Sequence, residues 1–191
     1  MSYGIYITSS PDRLPETSRW NAAIRAAGFD LELDSVDWAN QTGFLPVRLL
    51  GVRTGFELAN EQPRIAAYLH SSGFELAAAT VALAVLQSIT GGQYSDDDEQ
   101  SLSAEVHVAQ ARDLYNQGRV LLRHLESSKP LAWNEPPLDP TESKEQRMAA
   151  LGVLLSRRDL VKEVGADGER YRLHRLRGEK LRQELQIQPD S

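Results

Sequence analysis

The stretch SGFELAAATVALAVLQSITGG, residues 72–92, decides how the rest of the chain is arranged. From 76 to 88 it is apolar nearly all round and rich in alanine and leucine. A surface helix carries its apolar residues on one stripe, whereas a helix that is apolar on every side must be buried. Glu75 stands near the positive N-terminal end, and Gly91 and Gly92 follow the last turn, as expected of a helix with a clean start and stop. The nearly apolar run 76–86, broken only by Thr80, is shorter than the ~18 residues that cross a bilayer. A buried helix needs a partner layer, and the flanking sequence supplies strands for one.

On the N-terminal side, YGIYITSS (3–10) alternates around a β-branched centre and predicts a strand, closed by a turn at Ser9, Ser10, Pro11 and Asp12. Pro15 opens a helix over 15–27 with Trp20, Ala23, Ile24 and Ala27 on one face and Gly28 just past its end. LELDSVDW (31–38) places Leu31, Leu33 and Ser35 on one side of a second strand. LPVRLLGVRTGFEL (45–58) is a third strand or a hairpin about Gly51, and 63–69 is a short helical or extended connection. TGFELAN and SGFELAA resemble each other, but their spacing is too short for two repeated units. The first GFEL is expected to end a strand, the second to begin a helix.

On the C-terminal side, Ser101 or Ser103 caps a long helix to about residue 125. SSKPLAWNEPPLDPTES (127–143) contains four prolines and reads as a linker or surface loop. A helix over 142–155, a hairpin around Gly165, Asp167 and Gly168, and a last helix over 178–185 complete the chain. The prediction is an α+β fold: a small sheet packed against a buried apolar helix and a second long helix, with a C-terminal helix plus β-hairpin appendage. The corresponding domains are a core at 1–127, a proline-rich linker at 128–141 and a C-terminal helix and hairpin subdomain at 142–191.

A chain of 191 residues with 41% hydrophobic and 25% charged residues has the composition of a soluble globular protein. Residues 1–10 lack a basic start leading into an apolar stretch, so cytoplasmic residence with no membrane partner is expected. The absence of cysteine excludes disulfides, thiol nucleophiles and cysteine-ligated zinc. The net charge of −6 is uneven: residues 1–100 carry 6 basic and 13 acidic residues, whereas 157–182 carry 9 basic and 5 acidic. An acidic first half repels nucleic acid and attracts basic proteins.

Asp96, Asp97, Asp98 and Glu99 are the most concentrated charge in the chain. A calcium loop requires alternating ligands, a turn glycine and a distal bidentate acid, and SDDDEQS has none of that spacing. In an extended segment Asp96 and Asp98 share a side and Asp97 does not. His70, His107, His124 and His174 are scattered without zinc spacing, and no GxSxG, Walker loop or GxGxxG is present. No catalytic residue, metal or cofactor is therefore assigned, and the chain reads as a non-enzyme. The acidic quartet, together with Trp133 of the proline-rich segment, is the expected partner-binding set. In the alternative reading, Arg170, Arg172, Arg175 and Arg177 line a winged-helix hairpin in a small DNA-associated regulator. Interleaved acids weaken that field, so nucleic acid is not the expected partner.

The central segment, LPVRLLGVRTGFEL followed by ELAAATVALAVLQSITGGQYSDDDE, resembles immunity proteins encoded beside bacterial polymorphic toxins. In those proteins a TGFE-like strand precedes an alanine-rich helix, which ends in a TGG-like turn and passes into a short acidic strand. The resemblance covers about residues 45–99 and implies a cytoplasmic protein that neutralises a cognate, basic toxin by direct binding. An immunity protein needs a stable scaffold and a complementary surface rather than catalytic groups.

Overall fold

The alternation in YGIYIT does form strand β1 (Tyr3–Thr8), with Ile5 and Ile7 buried. The structure, a computed structural model, describes residues 3–69 and 73–190; His70 and Ser72 lie outside the described residues. A 3-10 turn at Pro11–Arg13 leads into helix α1 (Thr17–Ala26), which buries Trp20 and Ile24. Gly28, at φ +76, ends the helix in a conformation that favours glycine. Next come β2 (Leu31–Leu33), β3 (Thr42–Leu49), β4 (Val52–Glu61) and β5 (Arg64–Leu69). The remaining elements are α2 (Gly73–Thr90), β6 (Gln93–Asp96), α3 (Ala104–Glu126), α4 (Lys144–Ser156), β7 (Leu160–Gly165), β8 (Gly168–Leu173) and α5 (Arg175–Leu185).

The 45–58 stretch is a hairpin: Leu50 and Gly51 both have positive φ, which suits the twist of a two-residue turn between strands. Residues 63–69, undecided between helix and strand, are extended because Ile65, Ala67 and Leu69 alternate into the core. The first GFEL lies within β4 and does not end it.

The chain divides into two units, Met1–Tyr115 and Asn116–Ser191, and the division falls inside α3. The first holds a six-stranded antiparallel sheet in the order β2-β3-β4-β5-β1-β6. Its inward residues, among them Ile5, Ile7, Leu45, Phe56, Leu58 and Ile65, are covered by α2, whose Ala77, Ala78, Ala79, Leu83 and Leu86 are fully buried. Alanine at so many positions lets the helix approach the strands closely, and the burial of both faces drives the layer together. By length and composition α2 could cross a bilayer, yet it is packed as a core helix. Trp20 Nε1 donates to Ala82 O at 3.0 Å, and its ring stacks on Trp38. From α3, His107 sets Nδ1 2.8 Å from Gln87 Oε1 of α2; burial pushes the imidazole down to about 4 and keeps it neutral.

Of the two expectations for the proline-rich segment, linker or surface-hugging loop, the structure has the second: Arg147 on α4 gathers it. That side chain is 1% exposed and donates to the carbonyls of Trp133, Pro136 and Pro137 at 3.0, 2.8 and 3.3 Å, and to Glu142 Oε2 at 2.9 Å. Arg123 forms a two-pronged pair with the same carboxylate, so the buried Glu142 is held by two guanidinium groups. Ser143 and Gln146 form a capping box that starts α4. Leu131 exchanges two backbone hydrogen bonds with Tyr171 on β8, both 2.8 Å, tying the segment to the β7–β8 hairpin.

Candidate binding face

Strand β6 is an edge strand paired to β1, with Ile7 opposite Tyr94 and Ile5 opposite Asp96. Residues paired across a ladder share a face, so Tyr94 and Asp96 point inward with the two isoleucines. Asp96 is 6% exposed and its carboxylate is saturated. Oδ2 accepts from Tyr3 Oη at 2.8 Å and Tyr94 Oη at 3.1 Å, while Oδ1 accepts from the N–H groups of Asp98 and Gln100 at 3.0 and 2.9 Å. Burial opposes ionisation of Asp96, but the backbone N–H of Gln100 and the tyrosine hydroxyls outweigh it and hold the carboxyl below the usual range. Desolvation of its hydroxyl, with the Asp96 carboxylate alongside, pushes Tyr3 up to about 12.

Asp97 turns the other way. Its Oδ2 accepts from Gly4 N and its Oδ1 from Tyr6 Oη, both at 2.7 Å. These bonds hold Asp97 below the ordinary carboxylate range and raise Tyr6. Asp98 and Glu99 are exposed, Glu99 with φ +57. The expectation of four acids on one exposed surface is corrected at Asp96. Strand alternation continues to that residue and sends it inward, and the strand ends there, so Asp96 is buried while Asp98 is exposed. Trp133 belongs to the second unit, where it is half-buried, its carbonyl bonded by Arg147 and its ring 5.1 Å from Lys144 Nζ.

Asp97 leads onto the outward face of the sheet. Register aligns Phe44, Glu57, Tyr68 and Gly4 in one row of that face and Thr42, Ala59, Ala66, Tyr6 and Ser95 in the next. Tyr6 and Tyr68 meet edge to face with centroids 6.2 Å apart, and the Arg64 guanidinium sits 5.1 Å from the centre of the Tyr6 ring. Tyr68 Oη donates to Glu61 Oε1 at 2.6 Å, and Arg64 reaches Glu61 at 3.7 Å. The bond to Glu61 pushes Tyr68 up to about 12, so its hydroxyl remains protonated at neutral pH. Phe44, 64% exposed, lies over Gly55, where a Cβ would meet its ring at 2.2 Å. The alanine and glycine floor gives room for the rings above it.

Tyr6, Tyr68, Phe44, Glu61 and Arg64 were not singled out from sequence. The signal lay in the strands themselves: alternation in YGIYIT and RIAAYL puts the tyrosines opposite the aliphatic side. Because 63–69 was not assigned as a strand, the pairing of Tyr6 with Tyr68 was hidden. The face presents aromatic rings whose hydroxyls are held by Asp97 and Glu61. Among the described residues, no group of three or more histidine, aspartate or glutamate side chains is placed to hold a metal.

The arginines of the alternative reading are each matched: Arg170 by Glu135, Arg172 by Glu163, Arg175 by Glu179 and Arg177 by Asp159. Comparison with protein-family models, curated proteins and solved structures finds no match.

Proposed function

We propose that the chain is a cytoplasmic, non-enzymatic binding protein of the immunity type, which neutralises a cognate basic toxin through the outward face of its six-stranded sheet. The observation that carries this reading is the open aromatic surface, Tyr6, Tyr68 and Phe44, edged by Glu61 and Asp97, with the exposed Asp98 and Glu99 following Asp97 in the chain. The first unit as a whole carries 7 basic and 15 acidic residues, a balance of −8, which favours encounter with a positive partner. Tyrosines in such a surface anchor a complex, and exposed acids around them steer its formation. DNA contact by the hairpin has less support: β7 and β8 carry Lys162, Arg170 and Arg172 against Glu163 and Glu169, with the carboxylates in ion pairs.

The test is binding kinetics against the product of the neighbouring gene, at low and high salt. Asp98→Asn with Glu99→Gln is expected to slow association and flatten its salt dependence. Tyr68→Ala is expected to accelerate dissociation by tenfold or more, the loss typical of a hot-spot aromatic. Wild-type kinetics in both variants would overturn the assignment of this face.

A further inference from the structure

A cleft of about 230 Å³ in the second unit lies among the last turn of α3, residues 127–130, the end of β8 and α5. Its walls include Lys129, Arg172, Arg175 and Arg182, with Glu179 the one carboxylate among the lining residues. Arg172 and Arg175 share their charge with Glu163 and Glu179 in exposed pairs. The other two cations are different. Lys129 is exposed and has no carboxylate partner among the described residues. Arg182 is fixed by donating to the carbonyls of Leu125, His124 and Ser127 at 2.8, 3.4 and 2.6 Å, which orients its guanidinium without neutralising it. His124 also lines the cleft; it is 6% exposed, and its Nδ1 has no partner among the described residues.

We infer that this cleft is a binding site for a small phosphate-bearing ligand, an inorganic phosphate or the head of a phosphomonoester. Guanidinium and ammonium groups recognise phosphate oxygens through charge-assisted hydrogen bonds. A buried imidazole nitrogen with no partner is an acceptor for the one proton that inorganic phosphate carries as a dianion and a phosphomonoester carries as a monoanion. Sulfate has the same shape but lacks that proton. A nucleic-acid backbone is disfavoured as the source of the phosphate, because a strand needs a continuous cationic track, and Glu163, Glu169 and Glu179 interrupt this surface. The inference is independent of the acidic sheet face, which belongs to the other unit.

The experiment is a titration of the full chain with inorganic phosphate at fixed ionic strength, followed by amide NMR shifts, with glycerol phosphate, sulfate and a short single-stranded DNA as parallel arms. Saturable shifts confined to 124–130 and 172–182, shared by phosphate and glycerol phosphate and weaker with sulfate, are expected. Lys129→Gln with Arg175→Gln should reduce phosphate affinity about tenfold or more, the loss expected when charge-assisted bonds are removed. Both side chains are exposed, so the variant should keep the wild-type thermal midpoint without phosphate, which separates lost binding from lost folding. Shifts that never saturate, or unchanged phosphate affinity in the double variant, would overturn the site. Sulfate binding equal to phosphate would overturn the choice of ligand, and so would DNA binding where phosphate alone does not bind.

Discussion

Asp96 and Asp97 are adjacent in the chain and opposite in environment, one buried under the sheet and the other exposed on its outer face. Removing the Asp96 carboxylate would leave two tyrosine hydroxyls and two backbone N–H groups without their acceptor. Asp96→Ala is therefore expected to destabilise the first unit by about 2–4 kcal/mol, the range for several buried groups losing their partner. Asp98→Asn with Glu99→Gln should shift stability by less than about 0.5 kcal/mol, as usual for exposed positions. Urea unfolding of the two variants checks both, and equal costs would refute the distinction. The acidic run was plain in the sequence. Its separation into a structural and a surface half was not, because that depends on which residue of β6 is the last to pair with β1.

Among the elements, α2 was legible from composition alone, since an all-round apolar helix can be stable only inside a core. Leu83, fully buried, is the test position. Leu83→Ala should lower the unfolding free energy by roughly 2–5 kcal/mol through lost burial and a residual cavity, and Leu83→Asp should unfold the unit. An unchanged thermal midpoint in the second variant would mean that the helix is not in the core. The proline-rich segment was legible as irregular, a linker or a surface-hugging loop, but the side chain that packs it was not. Its anchor, Arg147, sits within a helix where arginine ordinarily signals solvent, and Glu142 compensates it from five positions away. Arg147→Ala should cost about 2–4 kcal/mol, as for several buried acceptors losing their donor while Arg123 still holds Glu142. The same change should expose 130–140 to proteolysis, with a red shift of Trp133 emission; a loop that stays resistant would contradict this account.

At the scale of the whole molecule, each unit buries one neutral histidine. Burial pushes His107 down to about 4, and burial with Arg123 beside it does the same for His124. In the unfolded chain both titrate near 6.5. Between about pH 6.5 and 4 the unfolded state binds more protons than the folded state, so stability rises with pH across that window and is lost as pH falls through it. The expected slope approaches about 1.4 kcal/mol per pH unit for each histidine. Asp96 and Asp97 add a separate loss at lower pH, because their folded values are depressed and their stabilisation disappears as they protonate. Chemical denaturation at a series of pH values should show the first slope reduced in a folded His107→Gln variant. A flat profile from pH 7 to 4.5 would rule out buried neutral histidines.

Local pattern was sufficient for most elements: period-two alternation marked β1, all-round apolarity identified α2 and turn residues marked the hairpins, whereas 63–69 stayed undecided between helix and strand. Propensity and capping act within a few residues, so one sequence holds them. What lay beyond it were relations among distant residues. Tyr6 and Tyr68 become one surface through the β1–β5 register, Asp96 becomes a buried acceptor through Tyr3, and Arg147 turns proline-rich chain into packed structure. Each relation depends on long-range pairing of backbone and side chain. Tertiary structure decided them because burial, which makes such pairings favourable, exists only once the layers have closed.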